Sequence, residues 1–255
     1  MGIVIGASRG LGRACADALA AEGVHVAMVA RGEAGLRQAA DDLTRRHGVR
    51  TLPVACDTAQ EEACRALVQR VAAEFGRIDI LVTNCGGPTP GSFDRLDDGA
   101  YERGFRSVLM SVVRLIRLVT PHMQARKWGR IINITSVSAR QPIDGLLISN
   151  VFRPAVVGLA KTLSVELAPH NILVNNVCPG VHRTDRLNEL VGARAAEGGT
   201  DEAEVIRRMT AAIPLGRLGM PEELGALVAF LASERAGFIT GASIACDGGA
   251  SRGLL

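Results

Sequence analysis

A chain of 255 residues, 47% hydrophobic and 22% charged, has the size and apolar content of one α/β domain with a large core. Its net charge of +3 is small and its arginines are spread along the chain, so no surface for nucleic acid or membrane is expected. No apolar run approaches the roughly 20 residues that span a bilayer. The start "MGIVIGASRG" lacks a secretory signal, and the six cysteines show no paired metal spacing; reduced, mostly buried thiols in a cytoplasmic protein without metal are expected.

Short apolar runs alternate with amphipathic stretches, which predicts a single Rossmann-type domain over 1–255, a doubly wound, seven-stranded parallel sheet with helices on both faces. "GIVIGA" reads as a strand and "GLGRACADALAAEG" as a helix ended by Gly23. "VHVAMVA", a helix near 32–47, "RTLPVACD", the helix "AQEEACRALVQRVAAEFG" and the strand "IDILVTNCGG" follow. One long helix is expected over 97–126, then the strand "GRIINITSVS", a helix over 149–168 and the strand "ILVNNVCPG". Residues 181–212 are polar and irregular and read as a mobile helical flap, with 185–212 covering the substrate; "PEELGALVAFLASE" and "SIACDGG" supply the last helix and strand.

Gly6, Gly10 and Gly12 sit at the first strand–helix junction, where glycines permit a tight turn and close approach of backbone to a pyrophosphate at the helix N-terminus. NAD-binding folds of this kind place an acid at the end of the second strand to hold the ribose hydroxyls. Here Ala30 stands there, followed by Arg31, and Arg9 lies inside the glycine turn. Two guanidiniums and no carboxylate suit a 2′-phosphate, so NADP(H) is the expected cofactor.

Seven segments in this order, "GASRGLG", "CD" at 56–57, "TNCGG", "GRIINITSVS", "GLAKTLSVELAPHNILVNNVCPG", "GRLGMPEEL" and "TGASIACDGG", resemble the short-chain dehydrogenase/reductase family, specifically its β-ketoacyl-carrier-protein-reductase-like members, over essentially the whole chain. The resemblance implies that Ser8, Leu11 and Gly86 line the cofactor along with the glycines, that Asp57 faces the adenine, and that Asn84 lies near the ribose. It implies that Pro179, Gly180 and Thr184 run along the nicotinamide. It also implies a homotetramer, built through the helices at 101–126 and 150–168 and through the last helix and strand.

Such enzymes use an Asn, a Ser, a Tyr and a Lys, the lysine and ribose lowering the phenol's pKa so that it serves as general acid. Ser136 falls at the serine position. Counting from it, the tyrosine position is Ser149 and the lysine position Arg153; counting back from "GRII", the asparagine position is Val108. A serine hydroxyl is too weak an acid to replace the phenol, and a guanidinium stays protonated and cannot relay a proton, although it can still bond ribose hydroxyls. His182, in the loop the family lays against the nicotinamide, is a candidate substitute acid. Tyr101, the chain's one tyrosine, reads as a packing or surface residue, and Cys85 and Cys178 as packed thiols.

The expected function is therefore an NADP(H)-dependent oxidoreductase of a small carbonyl or alcohol substrate, with Ser136, Ser149, Arg153 and His182 as the catalytic set. The competing reading is a catalytically inactive NADP(H)-binding regulatory or assembly protein of the same fold, since three of the four family positions are changed. Fold alone does not choose between them.

Overall fold

The structure, a computed structural model, describes residues 1–253. Seven strands, β1 (Gly2–Ile5), β2 (Val26–Ala30), β3 (Thr51–Ala55), β4 (Ile80–Asn84), β5 (Gly129–Ile134), β6 (Ile172–Pro179) and β7 (Ser243–Cys246), form one parallel sheet in the order 3-2-1-4-5-6-7. Side chains on a strand alternate between faces, and here both faces are apolar. Ile3, Ala27, Leu81 and Ile131 point into one core with α3 (Glu61–Phe75), α5 (Ser111–Arg126) and α6 (Leu147–Glu166). Val4, Met28, Val82 and Ile132 point into the other with α1 (Gly10–Ala21), α2 (Glu33–His47) and α9 (Pro221–Ala232). The expected doubly wound, seven-stranded sheet is the observed one.

One rung of this sheet is polar. Thr83, Asn133, Asn176 and Ser243 are register partners across β4, β5, β6 and β7. Their side chains form one chain: Thr83 Oγ1 donates to Asn133 Oδ1 at 2.8 Å, Asn133 Nδ2 to Asn176 Oδ1 at 3.1 Å, and Asn176 Nδ2 to Ser243 Oγ at 3.0 Å. A one-residue slip of any strand would break the chain and leave buried amides without partners, so it favours a single register.

One stretch differs from the sequence expectation. The long helix over 97–126 is broken into α4 (Asp98–Gly104), a π-helical segment over 105–110, and α5. The wider turn brings Val108 fully into the interior. The flap segment, expected to be helical, contains α7 (Asp185–Gly198) and α8 (Glu202–Thr210), each capped at its N-terminus, by Thr184 and by Asp201. Leu187, Val191, Val205, Ile213 and Leu218 give these helices a small core of their own, separate from the two around the sheet. No helix of the described residues is long and apolar enough to cross a membrane.

Candidate functional site

The strand order reverses between β1 and β4, and in open α/β sheets ligands bind at the carboxyl ends of strands where this happens. There the chain leaves a cleft of about 650 Å³ lined by ten of the expected residues: Gly6, Ser8, Arg9, Gly10, Leu11, Arg31, Asp57, Asn84, Gly86 and Thr184. Gly6 and Gly10 have φ values of +70° and +59°, in the left-handed region that favours glycine. A Cβ on Gly6 would lie 2.7 Å from Asn84 Nδ2, so the bare turn seats the end of β4. Gly12 does not line the cleft; a Cβ there would fall 2.2 Å from the Gly6 carbonyl oxygen, and its absence lets α1 lie directly on the turn. Arg9, the N-cap of α1, makes no side-chain cap, and the first turn of α1 carries no acid. The helix therefore presents open N–H groups and the positive end of its dipole to the cleft, a fit for a phosphate group.

The charged lining follows from the strand ends. Arg31 is exposed directly after β2, and Arg9 is exposed and paired with Glu189 of α7 at 3.1 Å. Asp57 turns back on its own loop, accepting from the Ala59 N–H at 3.0 Å. Sequence reasoning missed Thr58, Ala59, Gly87, Ser107, Asp185 and Arg186, which also border the cleft. Their one signal was position, since each lies in a loop, a π-helical turn or a helix start next to an expected residue.

A second cluster lies where β5 ends. Ser136 Oγ accepts from the Ser138 N–H at 3.1 Å, and Ser138 Oγ lies 2.8 Å from Ser149 Oγ on α6. Ser138, absent from the sequence-derived set, thus ties the loop after β5 to the helix that carries Ser149. One turn further along α6, Arg153 is only 7% exposed and donates from Nη1 to the Ile134 carbonyl at 2.9 Å. Its Nε is buried without a partner among the described residues. An unmade bond on a buried guanidinium costs free energy unless a ligand oxygen fills it, and Arg153 therefore marks a place where a hydroxyl or anion fits.

Among the described residues His182 makes no hydrogen bond to these serines. It packs against Gly219, with Nδ1 3.2 Å from the Gly180 carbonyl and Nε2 3.7 Å from Cys246 Sγ, and it borders a different cleft that includes Pro214, Arg217 and Glu223. Pro179 is the last residue of β6, and Gly180 follows it; a Cβ on Gly180 would meet Asp247 at 2.7 Å. Tyr101 is half-buried on α4. Burial pushes the Cys178 thiol up despite the Thr135 hydroxyl beside it, which keeps it protonated and poorly nucleophilic at neutral pH.

Glu223 gives the region a pH dependence. The Arg217 guanidinium, joined by the Met220 N–H at the start of α9, holds its carboxyl well below its ordinary 4.5, at about 2. A group whose folded pKa is depressed contributes stability above its unfolded pKa and loses it as pH falls. Amide protection at residues 217–224, taken relative to the intrinsic exchange rate at each pH, is therefore expected to fall between pH 4.5 and about 2, and a Glu223→Gln protein should lack that step.

With the cleft and the serine cluster described, their kinship is plain. The chain belongs to the short-chain dehydrogenase/reductase family: the family model described as enoyl-(acyl carrier protein) reductase matches residues 6–251. Among its relatives is the NADPH-dependent reductase BacG of Bacillus subtilis, 30% identical, with 98% of this chain and 97% of that protein covered. The crystal structure of L-sorbose reductase from Gluconobacter frateurii, complexed with NADPH and L-sorbose, superposes with a TM-score of 0.96 at 35% identity, covering 99% of this chain and 97% of that one. An actinorhodin polyketide ketoreductase with NADPH gives 0.92 at 33%, with 98% and 96% covered.

Proposed function

We propose that the protein is an NADP(H)-dependent oxidoreductase that interconverts a small carbonyl compound and its alcohol. The observation that carries this reading is the cleft at the strand-order reversal, with an uncapped helix N-terminus, Arg9 and Arg31 on its rim and no acid at the end of β2. NADPH-bound and NADPH-dependent relatives point the same way.

In this reading the open N–H groups of α1 hold the pyrophosphate, and Arg9 and Arg31 hold the 2′-phosphate. Asp57 faces the adenine, Asn84 and Gly86 the ribose side, and Pro179, Gly180 and Thr184 the nicotinamide. Arg153 fills its unmade Nε bond with a ribose hydroxyl. The cofactor, when bound, supplies the hydride exchanged with the carbonyl carbon. Ser136 and Ser149 donate to the substrate oxygen, Ser149 being held by Ser138, and Arg153 stabilises the negative charge that grows there. His182, whose ring nitrogens lie near the Gly180 carbonyl and the Cys246 thiol, or water delivers the proton. The flap at 185–212 moves to admit substrate.

Ser136→Ala is expected to lower kcat about 10²-fold in an NADPH-oxidation assay over a panel of ketones, as loss of one oxyanion donor does. Turnover unchanged by that substitution would remove Ser136 from the mechanism. The specific observation that favours the non-catalytic alternative is Val108, Ser149 and Arg153 at the family's Asn, Tyr and Lys positions. That alternative expects NADPH binding without hydride exchange from labelled cofactor to any carbonyl in the panel. We also propose a homotetramer, supported by exposed Val151 and Val165 on α6 and Phe230 on α9; a monomer mass in light scattering would reject it.

A further inference from the structure

Arg186 was outside the expected site, yet it lines the cleft, with its guanidinium beside Gly87. It stands in the first turn of α7. A Cβ on Gly87, just beyond β4, would lie 2.7 Å from its Nη2 and 2.9 Å from its Nη1. The bare glycine is therefore the seat of the guanidinium. The same stretch of chain also touches the glycine turn. A Cβ on Gly10 would be 3.5 Å from Thr184 Cγ2, and Glu189 pairs with Arg9 at 3.1 Å. The start of α7 thus lies along the cleft, resting on the glycine turn through Thr184 and Glu189 and beside the end of β4 through Arg186.

Among the described residues no carboxylate lies within ion-pair reach of Arg186. A cation held over a binding cleft without a counterion is a receptor for an anion. Which anion follows from position. Arg31 follows β2, on the side of the cleft toward Ala30 and Gly32, whereas Arg186 rests beside Gly87 and two residues from Thr184, which abuts the N-terminus of α1 at Gly10. The open N–H groups of α1 mark the place of a phosphate. We infer that Arg186 is a clasp over the dinucleotide pyrophosphate, closing against the phosphate oxygens. The inference rests on the dinucleotide reading of the cleft and adds a binding residue to it. It also gives the flap a cofactor-dependent position, because the clasp belongs to the flap.

The test is titration calorimetry of the wild-type, Arg186→Met and Arg186→Lys proteins with NADPH, NADH and 2′-AMP, the last carrying the 2′-phosphate without a pyrophosphate. Arg186 is exposed, so the variants are expected to fold, and circular dichroism checks that they do. Arg186→Met should weaken NADPH and NADH alike, by about tenfold for the loss of one charge-assisted contact, and leave 2′-AMP unchanged. Arg186→Lys should recover part of the loss. Unchanged affinity for both dinucleotides overturns the clasp while leaving the cofactor reading intact. A loss confined to NADPH and 2′-AMP overturns it by making Arg186 a 2′-phosphate reader. Wild-type protein that binds neither dinucleotide overturns both the cofactor reading and the clasp.

Discussion

Alanine at position 12 is expected to cost at least about 3 kcal/mol of stability and to abolish dinucleotide binding, whereas alanine at position 35 should stabilise the protein. The first figure follows from the contact. A Cβ on Gly12 would stand 2.2 Å from the Gly6 oxygen, 2.6 Å from the Gly6 carbon and 2.9 Å from the Ile5 oxygen, all backbone atoms that no rotamer change can move. Overpacking of a tight interior usually costs about 1–3 kcal/mol, and a clash with backbone belongs at or beyond the top of that range. Relief requires α1 to lift from β1, which displaces the helix N-terminus from the cleft. At Gly35 the same methyl group meets nothing within 4 Å, on the exposed face of α2. There alanine reduces the entropy of the unfolded chain and should add about 0.5–1 kcal/mol. Urea denaturation of the two variants measures both signs. A Gly12→Ala protein of unchanged midpoint would mean that α1 does not sit on the turn as described.

The same pair of glycines indicates what the sequence could disclose. That Gly6, Gly10 and Gly12 lie in a tight turn between β1 and α1 was legible because the reason is local, a strand, a turn and a helix start within a dozen residues. The seven strands were legible for a related reason. Both faces of a parallel sheet are buried, so each strand reads as a nearly continuous apolar run, as in "GIVI" and "VAMVA". Within that reading Gly12 was grouped with the cofactor ligands, and only the packed structure separates its role from that of Gly6 and Gly10.

What stayed hidden depended on partners distant in sequence. Asn133 and Asn176 look like polar interruptions of "RIINITS" and "LVNNVC". They become a cross-strand chain only when β5 and β6 are laid in register, 43 residues apart. Ser138 was passed over because its meaning lies in Ser149 Oγ, 11 residues on and in another element. Arg186 lay in a stretch whose charge suggested a solvated flap, and nothing nearby in sequence reveals that Gly87 makes room for it. The break in the helix over 98–126 was also unreadable, since "FRSVLM" has ordinary helical composition and the π-helical turn shows itself only in the packed structure, where Val108 is fully buried. The replacements proposed at positions 149 and 153 rest on a register read from both sides, from Ser136 and from "GLAKTLS", and the one proposed at 108 on the count back from "GRII".

Those replacements lead to the largest rate effect expected of this protein. Placing tyrosine at position 149 should raise carbonyl turnover about 10²-fold, and adding Arg153→Lys should raise it again. In the proposed mechanism the serine cluster and Arg153 stabilise negative charge on the substrate oxygen, but none of them is an acid of useful strength near neutral pH. A phenol at position 149 would sit one helical turn from the buried cation of Arg153, which favours the phenolate and so strengthens the acid. The guanidinium does not itself pass protons on, whereas an ammonium at position 153 does, which is why the second substitution adds to the first. Ser138 loses its partner in this variant, and a small loss of stability is expected from its orphaned hydroxyl. Steady-state kcat for the wild-type, Ser149→Tyr and doubly substituted proteins, each followed against pH, is the measurement. The tyrosine variants should show an alkaline limb, as the phenol loses its proton, that the wild-type lacks. Equal turnover in all three would mean that proton supply does not limit this site, and that the chemistry proposed for Ser149 and Arg153 is wrong.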